Sequence, residues 1–162
     1  MRTKYLIGII IVAISVLLMM FTTVKFEYKT VATVKPEQIW PFYEDPAKWP
    51  LWDKEIERVA FDGPFTAGTT GTLKPYSGPE GQFVITEMTK NRSYSTTTFL
   101  PLTKLIFTHT ITPKGDQFKL SYMIEMKGFL APIFAILVGR KIKQGLPGAI
   151  AKLVQLAGDT TL

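Results

Sequence analysis

His109 is the sole histidine of this chain. It stands in KLIFTHTIT, where alternation puts it with Leu105, Phe107 and Ile111 on one strand face, the face expected to look inward. An inward imidazole titrates near neutrality, which suits it to move a proton or to hydrogen-bond a ligand carbonyl. The same placement equally suits a hydrogen-bonded core residue, since no carboxylate partner is assured. Glu87 keeps the phase of Phe83 and Ile85 in GQFVITEMT. Pointed inward, its carboxyl would be pushed up by desolvation; at the strand's rim it would simply face water. Tyr76, Tyr94 and Tyr122 add hydroxyls to a mostly apolar set.

What is missing narrows the chemistry further. There is no cysteine, no G-x-S-x-G, and no H-E-x-x-H or other paired-ligand spacing. Gly68, Gly71, Gly78 and Gly81 lack the strand-turn-helix setting of a phosphate loop and read as hairpin turns. No metal and no cofactor is expected, so function has to be argued from shape.

The elements that would position these side chains follow from period and punctuation. From Phe26 the chain alternates, with Phe26, Tyr28, Thr30, Ala32 and Val34 on one face and Lys25, Glu27, Lys29, Thr33 and Lys35 on the other. Two short helical pieces follow, PEQIWPFYED, expected to be interrupted at Pro41, and DPAKWPLWD. Six strand runs come next: KEIERVAFDG, TTGTLKP, GQFVITEMT, YSTTTFLP, KLIFTHTIT and DQFKLSYMIEMK. Short turns such as Lys114-Gly115-Asp116 join them, which predicts an antiparallel meander. The tail from Phe129 changes to helical period. Its apolar stripe runs from Ile133 and Ile136 to Leu137 through Leu146, Ala149, Ile150, Leu153 and Ala157, with Pro147 expected to kink or split the helix. A bent sheet cannot close fully on one helix, so a largely apolar hollow is expected between them. Its predicted lining is Phe83, Ile85, Tyr94, Phe107, His109, Tyr122, Ile133 and Leu137.

Trp40, Trp49 and Trp52 fall within thirteen positions. They suit a pocket lid or an interfacial aromatic belt, but also the plainer task of pinning two short helices that could not stand alone. Arg140, Lys141 and Lys143 form a small basic cluster, either a lipid-phosphate contact or a solvated helix face. The net charge of +6 comes from scattered lysines without an arginine-aromatic groove, so nucleic acid is not an expected partner.

Residues 5–24, YLIGIIIVAISVLLMMFTTV, carry no charge. Twenty residues of helix span about 30 Å, the hydrocarbon thickness of a bilayer. The run is longer than a signal-peptide core and lacks a small-residue cleavage site, so an uncleaved single span is the expectation, with residues 1–24 as anchor and 25–162 as one domain. Basic residues on the two sides nearly balance. The short basic start favours the inside, and hence the domain on the outer face. Nothing in the sequence speaks to oligomeric state.

The order of strand, two short helices, six strands and long terminal helix resembles the START-like superfamily, also called the SRPBCC or birch-pollen-allergen fold. Within it the chain is similar to the polyketide cyclase/dehydrase and lipid-transport group. The likeness is carried by VATVKPEQIWPFYEDPAKWPLWDKEIERVAFDGPFTAGTTGTL, above all Pro36, Trp40, Asp45-Pro46, Trp49, Trp52, Gly63 and Gly68. It implies an α+β helix-grip fold, a seven-stranded curved antiparallel sheet wrapped round the C-terminal helix with a cavity for hydrophobic ligands. Three functions remain open: a membrane-tethered binder of a hydrophobic small molecule or lipid; a cyclase- or dehydratase-like enzyme in which His109 or a tyrosine moves protons; and an interaction domain with a vestigial pocket.

Overall fold

The computed structural model describes residues 5–11 and 22–159. Thr23–Ala32 forms strand β1 and Pro36–Glu44 helix α1. A 3-10 turn at Pro46–Lys48 leads into helix α2, Trp49–Trp52. Then come β2 (Ile56–Phe61), β3 (Thr70–Pro75), β4 (Gly81–Thr89), β5 (Ser93–Leu100), β6 (Thr103–Lys114) and β7 (Gln117–Gly128). The chain ends in helix α3 (Ala131–Phe134), a π-helical turn (Ala135–Gly139) and helix α4 (Arg140–Asp159). The expected α+β architecture is present: the seven strands form one sheet in the order β1-β7-β6-β5-β4-β3-β2, all antiparallel.

Alternation explains β1, whose even-numbered residues face inward while Lys25, Glu27 and Lys29 face water. Against its inner face packs α4, burying Leu146, Ala149, Ile150, Leu153 and Ala157 with Leu120, Tyr122 and Ile124 of β7 in one core. The short helices close the other side. Ile39, Trp40, Phe42 and Tyr43 of α1 and Trp49 and Trp52 of α2 are all buried. The Trp49 Nε1 donates to the Tyr43 carbonyl at 2.9 Å, and the Trp52 Nε1 to the Phe42 carbonyl at 3.3 Å. Two indoles thus clip α2 onto α1, the plainer of the two roles expected for them.

Several expectations need correction. Pro41 does not interrupt α1, which runs through it from Pro36 to Glu44. A proline inside a helix costs about 3 kcal/mol, and each of the four large side chains buried by α1 contributes about 1.5–3 kcal/mol, so packing wins. Pro147 likewise lies within a continuous α4, whose Ile142 and Leu146 before it and Ala149, Ile150 and Leu153 after it all join the core. The irregularity sits upstream, at the π-helical turn. Thr23 and Val24, counted as the end of the apolar run, are instead the first residues of β1, where Val24 opposes Met126. Of the expected span, residues 5–11 are helical and 12–21 lie outside the described residues. Among the described residues no helix is long and apolar enough to cross a membrane.

Candidate functional site

Antiparallel register builds a row across the middle of the sheet. Tyr28 of β1 opposes Tyr122 of β7, Tyr122 opposes His109 of β6, His109 opposes Tyr94 of β5, and Tyr94 opposes Met88 of β4. All five face inward, because each strand contributes the residue whose phase matches its buried neighbours. His109 is the centre of the row. Its ring stacks on Tyr94 at 4.5 Å and 4° and lies 3.8 Å from the Tyr122 ring. From the helical side Tyr43 and Trp52 approach it edge-on at 5.1 and 5.9 Å. Tyr94 in turn is ringed by Tyr43, Phe65, Trp49 and Trp40 at 4.8 to 6.4 Å.

Such a surround decides protonation. Burial pushes the His109 imidazole down to about 3, so it is neutral at any physiological pH. Burial pushes the phenols of Tyr43, Tyr94 and Tyr122 up, so they too stay neutral. Asp53, at the C-terminal end of α2, is the nearest carboxylate by its effect, adding to the upward shifts of Tyr94 and Tyr122. Its own carboxyl is raised by burial although Oδ1 accepts the Glu55 N–H at 3.0 Å. The interior therefore offers uncharged polar groups on aromatic walls.

One of those groups is incomplete. The Tyr94 hydroxyl is buried, with the residue only 1% exposed, and has no hydrogen-bond partner among the described residues. Buried polar atoms are nearly always paired, because an unpaired one forfeits about 1–3 kcal/mol of solvation. The orphan hydroxyl sits in the same row as His109, within the aromatic ring set.

The expected lining divides unequally. Tyr94, His109 and Tyr122 meet in the row. Phe107 is half-buried beside Tyr122, 6.3 Å between rings. Phe83 is buried where it stacks on Trp49 at 6.1 Å, and its ring occupies the space a side chain at Gly71 would need. Ile85 is wholly buried, its backbone tied to Thr69 and Gly68. Ile133 and Leu137 do not belong with them: they are 53% and 71% exposed. The turn that carries them packs instead through Ala131, fully buried, and through Gly139, whose missing Cβ leaves room for the Phe26 ring.

Glu87 is also outside. The register shifts between Ile85 and Glu87, so one extra residue inverts the phase of β4 and hands the inward position to Met88. Tyr76 is exposed. Sequence reasoning overlooked Tyr43 and Asp53, which reach the site from α1 and the end of α2. Their only signal was membership of the Trp-rich helical pieces. Among the described residues no group of His, Cys, Asp and Glu is arranged to hold a metal.

Residues 23–155 match the family described as polyketide cyclase / dehydrase and lipid transport. The chain belongs to that family. No curated protein matches it. Family membership accords with solved structures of the same fold. Norcoclaurine synthase from Thalictrum flavum, a point mutant with a transition-state analogue, superposes with a TM-score of 0.67 at 16% identity, covering 88% of this chain and 98% of that one. Ara h 8.0201 gives 0.66 at 14% identity over 85% and 99%. A protein from Thermus thermophilus gives 0.66 at 11% over 86% and 100%. At these identities the likeness establishes the fold alone.

Proposed function

We propose that this domain binds a hydrophobic small molecule, with lipids the favoured class, against the inward aromatic row, and that the apolar run ahead of β1, residues 5–22, holds it at a bilayer with the domain on the outer face. The binding reading is carried by the Tyr94 hydroxyl, buried and unpartnered among aromatic rings. A ligand with one oxygen on an apolar body would complete that hydrogen bond while its body meets the rings, the pattern expected of small-molecule sites. Support also comes from a norcoclaurine synthase crystal of the same fold that holds dopamine and hydroxybenzaldehyde, at 17% identity.

Tryptophan quenching by 1-naphthol and by naphthalene tests this directly, with Trp40, Trp49 and Trp52 as reporters. Both probes are expected to bind, and Tyr94→Phe to weaken 1-naphthol by about fivefold, one hydrogen bond's worth, while sparing naphthalene. Failure of both probes, alongside native mass spectra that never retain a lipid, overturns the reading. The cyclase-like alternative draws on the hydroxyls grouped around His109. An imidazole held near 3, however, is a weak base at neutral pH. His109→Ala separates the two, because a binder keeps its ligand where a His-dependent enzyme loses most of its turnover.

A further inference from the structure

The large apolar side chains that the domain leaves exposed are not scattered. Among the described residues, apart from Val31 and Leu51, they are Tyr76, Phe99, Leu102, Ile133, Ile136 and Leu137, with exposures from 53% to 74%. Tyr76 is in the β3–β4 turn, Phe99 and Leu102 flank the β5–β6 turn, and the other three lie in α3 and the π-helical turn that follow β7. Register puts all of these at one end of the sheet. Thr23 opposes Lys127 at the start of β1, Thr103 opposes Gly128 at the end of β7, and Leu100 opposes Thr103. This is also the end at which the uncharged run joins the domain, for the Gly128 N–H donates to the Thr22 carbonyl at 3.0 Å.

The charges beside the patch are mostly positive. Lys25 and Lys127 both pair with Glu125, leaving one charge in excess. Lys104, directly opposite Lys127, reaches over the Phe99 ring at 5.5 Å. Exposed Leu and Ile with lysines at the same end of the sheet suit the boundary of an anionic bilayer, where apolar tips enter the headgroup layer and ammonium groups meet phosphate. A protein partner explains neither the lysines at this end nor the coincidence with the start of the apolar run.

We infer that this end of the domain is a second membrane contact, in which Leu102, Ile133, Ile136 and Leu137 rest in the headgroup region of an anionic bilayer while Lys25, Lys104 and Lys127 face its phosphates. The contact goes beyond the tether: it sets the orientation of the domain, with β1 leaving the lipid surface and the β6–β7 turn pointing away. It does not depend on whether the interior holds a ligand.

The chain has no cysteine, so single introduced cysteines label cleanly. Full-length Ile136→Cys, Leu102→Cys and, as the far-end control, Asp116→Cys are labelled with an environment-sensitive fluorophore. They are reconstituted in phosphatidylcholine vesicles with and without phosphatidylglycerol. Labels at 136 and 102 are expected to be quenched several-fold more by lipid-borne nitroxide than the label at 116, more strongly with phosphatidylglycerol and less at high salt. A tether alone would keep this end near the lipid without contact. Adding Ile133→Glu and Leu137→Glu to the Leu102→Cys chain is therefore expected to abolish its quenching. Equal quenching at all three sites, persistence in the double glutamate variant, shielding from aqueous iodide without nitroxide quenching, or failure of the chain to stay with the vesicles would each overturn the contact.

Discussion

The inward row and the exposed sheet end are built from similar apolar stock and put it to opposite use. In the row, Met88 and the rings of the other strands are covered by aromatic side chains from two helices, and His109, Tyr94 and Tyr122 are held neutral by burial. At the sheet end, aliphatic side chains from two turns and one short helix stand in water beside paired and unpaired lysines. The contrast separates two tasks that composition alone would merge: apolar residues that make the fold, and apolar residues the fold does not need.

The sharpest way to break that comparison is to truncate one member of each. Trp49→Ala removes an indole that touches Trp52, Phe61, Phe83 and Tyr94 and clips α2 to α1. It is expected to cost about 3–5 kcal/mol in urea unfolding. Ile136→Ala is expected to stay within about 0.5 kcal/mol of the parent. Similar losses at both positions would mean that the sheet end is core after all.

Acid sharpens the same contrast, because it reaches the row only through unfolding. The unfolded imidazole takes a proton near 6.5, and the folded one resists down to about 3. Below 6.5 the unfolded chain thus binds more protons, and stability falls as pH drops from about 6.5 towards 3, by on the order of a few kcal/mol. Two carboxylates add to the loss only below about pH 4.5. Glu27 is held low by hydrogen bonds from Lys29 and Ser121. At Glu125 burial pushes upward, but hydrogen bonds from Lys25 and Lys127 prevail and hold it low. Asp53, raised by burial, works in the opposite sense, since its unfolded carboxyl ionises first and acid favours the fold. His109→Gln is expected to flatten thermal stability against pH between about 6.5 and 4.5; an unchanged slope would sink the assignment.

A smaller effect probes the sheet end itself. Gly128 has φ +133°, and a Cβ there would lie 2.3 Å from the Leu102 carbonyl oxygen. Gly128→Ala is expected to cost about 1–3 kcal/mol and to loosen the β5–β6 turn. Amide exchange would show this as faster exchange around Thr103 with the row unaffected; even loss of protection throughout would show that the two regions are one cooperative unit.

Strand phase was the part of this architecture that the sequence displayed best. Period-2 alternation in β6 and β7 put His109 and Tyr122 on inward faces, and the turn residues marked all six hairpin partners within a few positions. What stayed hidden depends on contacts between segments. The extra residue in β4 that turns Glu87 outward leaves no trace in composition. The π-helical turn similarly breaks the helical phase that had put Ile133 and Leu137 on the buried stripe. Neither Pro41 nor Pro147 splits its helix, because local propensity does not register the aromatic and aliphatic faces packed around them. The unpartnered Tyr94 hydroxyl is a property of the finished interior and of no shorter stretch of chain.

The hydrogen-bond ladder that fastens β1 to β7 runs from Thr23 opposite Lys127 to Ala32 opposite Phe118, ten residues without a shift in register. Any mechanical load arriving through the preceding apolar run would pull lengthwise on that ladder and strain all its rungs together, the geometry in which a strand pair resists best. A peeling force would open them one by one. A tether at this point would thus load the domain along its grain, through a ten-residue seam.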